Sequence, residues 1–123
     1  MNHEEFLKMN SAGAGDWWYT ARREMLQREL KAHSAQLGKL TILDLATACG
    51  NTYLDCSPYG KTVGLDISWH AVEFCKTKNI KSMVQASAQV LPFKSNSIDV
   101  VVALDVFEHL ENDLASINEI DRV

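Results

Sequence analysis

Between residues 40 and 104 the chain alternates short apolar runs with helical stretches. Four runs read as strands: 40–45, 62–66, 80–86 and 98–104. The first and last are apolar at nearly every position, which predicts burial on both faces, as in a parallel sheet. A helix is expected over about 16–36, capped by Asp16 and closed by Gly38, with a stripe of Trp18, Ala21, Met25 and Leu30 facing the core. A short helix near 51–57 ends at Pro58 and Gly60, and Ser68 caps another that runs to about Lys78. In the last, about 106–121, Phe107, Leu110, Leu114 and Ile117 fall on one helical face. Strands alternating with helices predict an α/β fold, a Rossmann-like parallel sheet with right-handed crossovers. The expected strand order is 3-2-1-4, with a topological switch point between the first and fourth strands.

Composition narrows the partners. A chain of 123 residues, 46% hydrophobic, supports one core. Its net charge of -4 argues against a nucleic-acid surface, and no basic cluster exceeds Arg22-Arg23. The longest apolar run, Val100–Leu104, is far too short to span a bilayer, so no membrane partner is expected. Cys49, Cys56 and Cys75 leave one thiol over in any disulfide scheme, which points to reduced thiols in a cytoplasmic protein. Glu108, His109 and the cysteines lack zinc spacing, so no metal is expected. Ser11-Ala12-Gly13-Ala14-Gly15 reads as a small-residue linker, which divides the chain into an N-terminal segment, 1–15, and a domain, 16–123.

The chemistry concentrates at the carboxyl ends of the strands. Asp44 ends the first strand and Asp66 the second, 22 residues apart, the span of a βαβ step. Two acids at that edge suit a ligand with hydroxyls and positive charge better than a phosphate. Between them Ala46, Ala48 and Gly50 form a small-residue loop that lets a ligand lie against backbone and runs into helical N–H groups able to meet a carboxylate. The same composition also suits a tightly packed βα turn. Asp66 can accept from both hydroxyls of a ribose, or cap the next helix; Ser68 is itself a good cap, which partly frees Asp66. Asp44 can pin the loop or sense a ligand ammonium. Ser87-Ala88-Gln89 can border an adenine or be plain loop. Asp105 can equally cap the last helix or touch a ligand, and His109 is a candidate general base or substrate contact, or an ordinary surface histidine. Trp17, Trp18 and Tyr19 are expected in the core or cleft wall, and Arg22 and Arg23 solvated or paired, with the alternative that one of them meets a carboxylate.

Together these pieces resemble the class I S-adenosylmethionine-dependent methyltransferases, in their small-molecule, type 11-like branch. Ile42-Leu43-Asp44-Leu45-Ala46-Thr47-Ala48-Cys49-Gly50 is similar to the first motif and Val63-Gly64-Leu65-Asp66-Ile67-Ser68 to the second. Ala86–Phe93 and Ser97–Val101 are similar to the third and fourth. Asp105-Val106-Phe107-Glu108-His109-Leu110 and the aromatic–arginine segment Trp17–Arg23 also match that branch.

The resemblance implies S-adenosylmethionine as cofactor, a small-molecule methyl acceptor, and transfer to an O, N or C atom. The cofactor-contacting set it implies is Asp44, Ala46, Ala48, Gly50, Asp66, Ile67, Ser87, Ala88 and Leu104. The Ala46–Gly50 loop would cradle the methionine part, Asp66 hold the ribose, Ser87 and Ala88 border the adenine, and Leu104 line the sulfonium side. Three departures stand out. Ala46 and Ala48 occupy glycine-like places, where the Ala48 methyl is expected to crowd the cofactor or demand negative φ. Ser87 replaces an acid. The chain stops at Val123, before the family's C-terminal strands, so it reads as an N-terminal portion of the fold whose exposed fourth strand favours self-association. A different class, a catalytically silent cofactor-binding or interaction module, follows from the same shortening. A nicotinamide oxidoreductase is disfavoured by the missing G-x-G-x-x-G and by Asp44 at the loop entrance.

Overall fold

Leu40–Leu45 (β1) lies at the centre of a four-stranded parallel sheet because both of its faces are apolar. The computed structural model describes residues 1–12 and 15–123; the Gly13 and Ala14 part of the expected linker lies outside the described residues. Gly60–Asp66 (β2), Met83–Gln85 (β3) and Val100–Val102 (β4) complete the sheet in the order β3-β2-β1-β4, the order the sequence predicts. Leu40 stands opposite Gly60 and Leu45 opposite Leu65, while Ile42 stands opposite Val100. Asp44 and Asp66 therefore end adjacent strands at the same edge.

The alternation along β1 divides the core. Leu40 and Ile42 pack with Leu30, Cys56 and Val102 on one face, under Trp17–Leu37 (α2) and Asn51–Cys56 (α3). Leu43 and Leu45 pack on the other with Leu65, Leu91 and Val123, beside Asp113–Arg122 (α5). Asp44 follows the even-numbered set and so belongs to the α2 and α3 side. The N-terminal helix His3–Ala12 (α1) meets Trp69–Thr77 (α4) through Phe6, which stacks on Phe74 with ring centroids 5.5 Å apart.

Several expected elements are shorter than the hydrophobic pattern indicates, each for a local reason. The third strand was expected from residue 80, but α4 ends there in a Schellman motif. Asn79 is left-handed at φ 64, its N–H reaches Lys76 O at 3.0 Å, and the N–H of Ile80 reaches Cys75 O at 3.1 Å. The expected helix 106–121 splits into a 3₁₀ turn, Phe107–His109, and α5, because Asn112 caps the latter by accepting from Ala115 N at 3.0 Å. Its buried side is Ser116, Ile120 and Val123; Leu114 is 63% exposed and Ile117 is also exposed. That rotation lets Glu119 accept from Leu91 N at 2.7 Å while Arg122 donates to Leu91 O and Phe93 O. On α2 the inward residues are Leu26 and Leu30, whereas Trp18 and Met25 of the expected stripe face solvent. Trp17 is 76% exposed, contrary to a place in the core or cleft wall. The fourth strand is confined to Val100–Val102, and its far edge has no strand beside it among the described residues.

Gly64 is a tight point of the β2 backbone, where it meets the loop after β1. A Cβ there would collide with Met83 Sδ and with Thr47 Oγ1, the latter in the loop after β1. Gly64→Ala is expected to cost about 1–3 kcal/mol, seen as a lower urea midpoint at unchanged m-value. An unaltered midpoint would mean that the Thr47 loop has room to move.

Candidate functional site

The loop after β1 has alternating backbone handedness. Ala46 (φ 61), Ala48 (φ 48) and Gly50 (φ 83) are all left-handed. The expectation that the Ala48 methyl demands negative φ fails. The chain holds both alanines in a conformation costing an L-residue roughly 1–2 kcal/mol. Hydrogen bonds compensate. Thr47 N donates to Leu65 O at 3.1 Å and Thr47 Oγ1 to Asp44 O at 2.9 Å. Ala48 N donates to Asp66 Oδ2 at 2.9 Å. Lys78 Nζ donates to Cys49 O at 2.8 Å, to Asn51 Oδ1 at 2.7 Å and to Asn10 Oδ1 at 2.9 Å, tying loop, α3 and α1 together.

The two acids differ sharply. Asp66 sits beside the loop and accepts from Ala48 N with one oxygen and Ser68 N with the other, both at 2.9 Å. Ser68 caps α4 by accepting from Ala71 N, as expected. A carboxylate offers about four acceptor sites, so two remain for a ligand. Asp44 is 2% exposed, and its Oδ2 has no hydrogen-bond partner. Burial, reinforced by the charge of Asp66, pushes its carboxyl up to about 7, against Thr47 and Arg22, which pull it down.

Two cavities open at this edge. The first, about 400 Å³, is bordered by Ala46, Asp66, Ile67, Ser87 and Ala88, with Asp105 and His109 across from them. Five of the nine expected cofactor contacts thus share one cavity, and His109 is exposed at its rim. The second, about 300 Å³, lies between α2 and α3 and is bordered by Tyr19, Arg22, Asn51, Thr52 and Leu104. Leu104 therefore stands in the neighbouring cavity. Asp44, Ala48 and Gly50 border neither, because the first is buried and the others have turned their backbone toward Asp66 and Thr47. Asp105, read as a possible cap, is instead a left-handed residue (φ 55) paired with Arg22. Arg23 pairs with Asp55 at 2.8 Å. Asn51 ends the candidate loop Ala46–Asn51, whereas the Thr52 contribution escaped the sequence reading; its only signal was its position directly after that loop.

The described residues hold no group of three His, Cys, Asp or Glu side chains that could bind a metal ion, and no helix in them is long and apolar enough to cross a membrane. Residues 43–123 match the family model described as a methyltransferase domain. A demethylmenaquinone methyltransferase of Lactococcus lactis subsp. lactis (strain IL1403) is 36% identical, over 68% of this chain and 37% of its own length. The chain thus spans little more than a third of that relative. The PH0226 protein of Pyrococcus horikoshii OT3 superposes with a TM-score of 0.69 at 27% identity, over 89% of this chain and 54% of that one. The bifunctional kinase-methyltransferase WbdD shares the fold at a TM-score of 0.67 and 23% identity, over 80% of this chain and 24% of that one.

Two outcomes follow from the loop and its buried acid. Ala46 is exposed and left-handed, so Ala46→Gly relieves backbone strain at the expense of unfolded-state entropy. A net gain of about 0.5–1 kcal/mol is expected and checked by urea denaturation; a loss would show that the strain is negligible. Asp44 has a folded pKa raised from 3.8 to about 7, so between those pH values the folded state holds a proton that the unfolded chain has released. Its contribution to stability accordingly falls as pH rises through that window. Asp44→Asn should be more stable than the wild type at pH 8, by an amount that shrinks toward pH 5. A difference independent of pH would mean that Asp44 does not titrate in this range.

Proposed function

The chain belongs to this methyltransferase domain family, and from that premise we propose that it binds S-adenosylmethionine and serves methyl transfer to an O, N or C atom of a small-molecule acceptor in the cytoplasm. The observation that carries the reading is Asp66: a carboxylate held by two backbone N–H groups, with unused lone pairs, bordering a cavity walled by Ala46, Ile67 and Ala88. This combination suits a ribose diol beside a flat apolar base. The cavity borders contain acids and no lysine or arginine, which suits a nucleoside without phosphates.

The residues present fit such a cofactor. Asp66 would hold the ribose hydroxyls, and Ser87 and Ala88 would border the adenine. The unpartnered Oδ2 of Asp44 lies beneath the loop as a buried acceptor for positive charge, favouring a cationic ligand on its side of the sheet. The bound cofactor supplies a methyl group activated by its positive sulfur. The protein's part is then orientation and a preorganised electrostatic surround. The left-handed loop is fixed in advance by Lys78 and Asp66, so little ordering is left to accompany binding. His109, exposed at the rim, is the candidate proton acceptor for a hydroxyl or amine acceptor. The three thiols are buried and unpaired, in keeping with a reducing compartment.

Titration calorimetry with S-adenosylmethionine, its demethylated product and NAD tests the reading. Either sulfur-containing ligand should bind more tightly than NAD; tighter NAD binding would overturn the assignment. Asp66→Asn keeps the side-chain shape but removes the charged acceptor. Hydrogen bonds to a charged group are worth about 1.5–3 kcal/mol each, so affinity for S-adenosylmethionine should drop at least roughly tenfold. An unchanged dissociation constant in a folded variant would exclude the ribose role.

A further inference from the structure

Lys78 closes α4 and sets its ammonium among three oxygens from three elements. Nζ donates to Asn10 Oδ1 of α1 at 2.9 Å, to Cys49 O in the loop after β1 at 2.8 Å, and to Asn51 Oδ1 at the start of α3 at 2.7 Å. An ammonium has three donors and no acceptor, so the set is complete. All three partners are uncharged, and among the described residues no carboxylate pairs with Lys78.

Because an ammonium only donates, the atom that each asparagine turns toward it is the amide oxygen. This fixes the flip of both side chains and directs each NH2 group away from Lys78. Asn10 and Asn51 both border the cavity between α2 and α3, whereas Lys78 does not. Packing brings Asn10 there. Phe6, one turn earlier on α1, is buried with Cys49, Ala71 and Phe74, and Met9 packs against the same cluster together with Ala48. α1 thus leans directly on the left-handed loop, although it precedes the residues matched by the methyltransferase domain model, 43–123.

We infer that Lys78 is a positioning residue. It presents the NH2 ends of Asn10 and Asn51 to the cavity as a pair of donors, and α1 thereby supplies a binding residue to the site. The pair suits a ligand group rich in acceptors. On the cofactor reading above, on which this rests, that group belongs to the amino-acid end of S-adenosylmethionine. The donors are aimed before the ligand arrives, so binding does not have to order them.

Calorimetry with S-adenosylmethionine on Asn10→Asp and Asn51→Asp separates aiming from mere fastening. Each substitution keeps the side-chain shape and still offers Lys78 an oxygen, so α1 and α3 stay attached. It replaces the NH2 group with an acceptor. Each variant should bind roughly tenfold more weakly with no loss in thermal midpoint. Lys78→Met should weaken binding as well, and so should Phe6→Ala, which loosens α1 at a residue bordering neither cavity. Hydrogen exchange of the α1 amides reports the loosening. Wild-type affinity in both aspartate variants would show that Lys78 only fastens the elements; it would overturn the inference and leave the cofactor reading standing. Failure of the wild type to bind S-adenosylmethionine or its demethylated product would overturn both.

Discussion

The carboxylate of Asp66 is the contact on which the rest of this site depends. It reaches back from the end of β2 to the loop after β1 and accepts the Ala48 N–H, while its other oxygen accepts the N–H of Ser68 at the start of α4. One side chain thereby joins two parallel strands, a left-handed loop and a helix cap. The loop needs this hold, because two of its left-handed residues carry a methyl group. Lys78 secures the next peptide from the other direction, through Cys49 O. The same carboxylate borders the cavity with acceptor sites to spare, so architecture and the proposed binding role meet at this residue.

Charge is distributed so that each buried or half-buried group has a defined task. Asp66 is held by two backbone donors. Asp44, without such donors on Oδ2, is left at the boundary of ionisation by burial. The difference of environment follows from strand geometry. Asp66 emerges into a cavity at the sheet edge, while Asp44 turns toward the face covered by α2 and α3. Arg22 and Arg23, adjacent on α2, are drawn to acids from different elements, Asp105 after β4 and Asp55 in α3. Both pairs bridge α2 to the elements beside it, and both are partly open to solvent.

The sheet was legible because its signals are local and redundant. Apolar runs in β1 and β2 end in acids, Ser68 and Gly38 mark helix termini where the structure has them, and the βαβ spacing leaves one reasonable strand order. Five expected contacts, Ala46, Asp66, Ile67, Ser87 and Ala88, gather around one cavity for the same reason: each follows a strand at the same edge. The boundaries were less legible. Ile80 reads as a strand residue, but hydrogen bonds to the end of α4 claim it. Phe107, Leu110, Leu114 and Ile117 make a good helical face on paper, yet Asn112 interrupts the helix, and Glu119 with Arg122 turn a different side inward.

By itself, then, the sequence determined the α/β class, the order of the strands and the edge at which chemistry gathers, because these follow from periodicity and from side chains at strand ends. Tertiary structure alone decided the rest. It gave Ala46 and Ala48 positive φ, since that follows from hydrogen bonds to Leu65 and Asp66 across the sheet. It set the state of Asp44, since burial is a property of everything packed over it. It brought Arg22 to Asp105, 83 positions away, since a long-range ion pair has no local pattern to announce it. Local pattern encodes elements, and only packing chooses which polar groups meet.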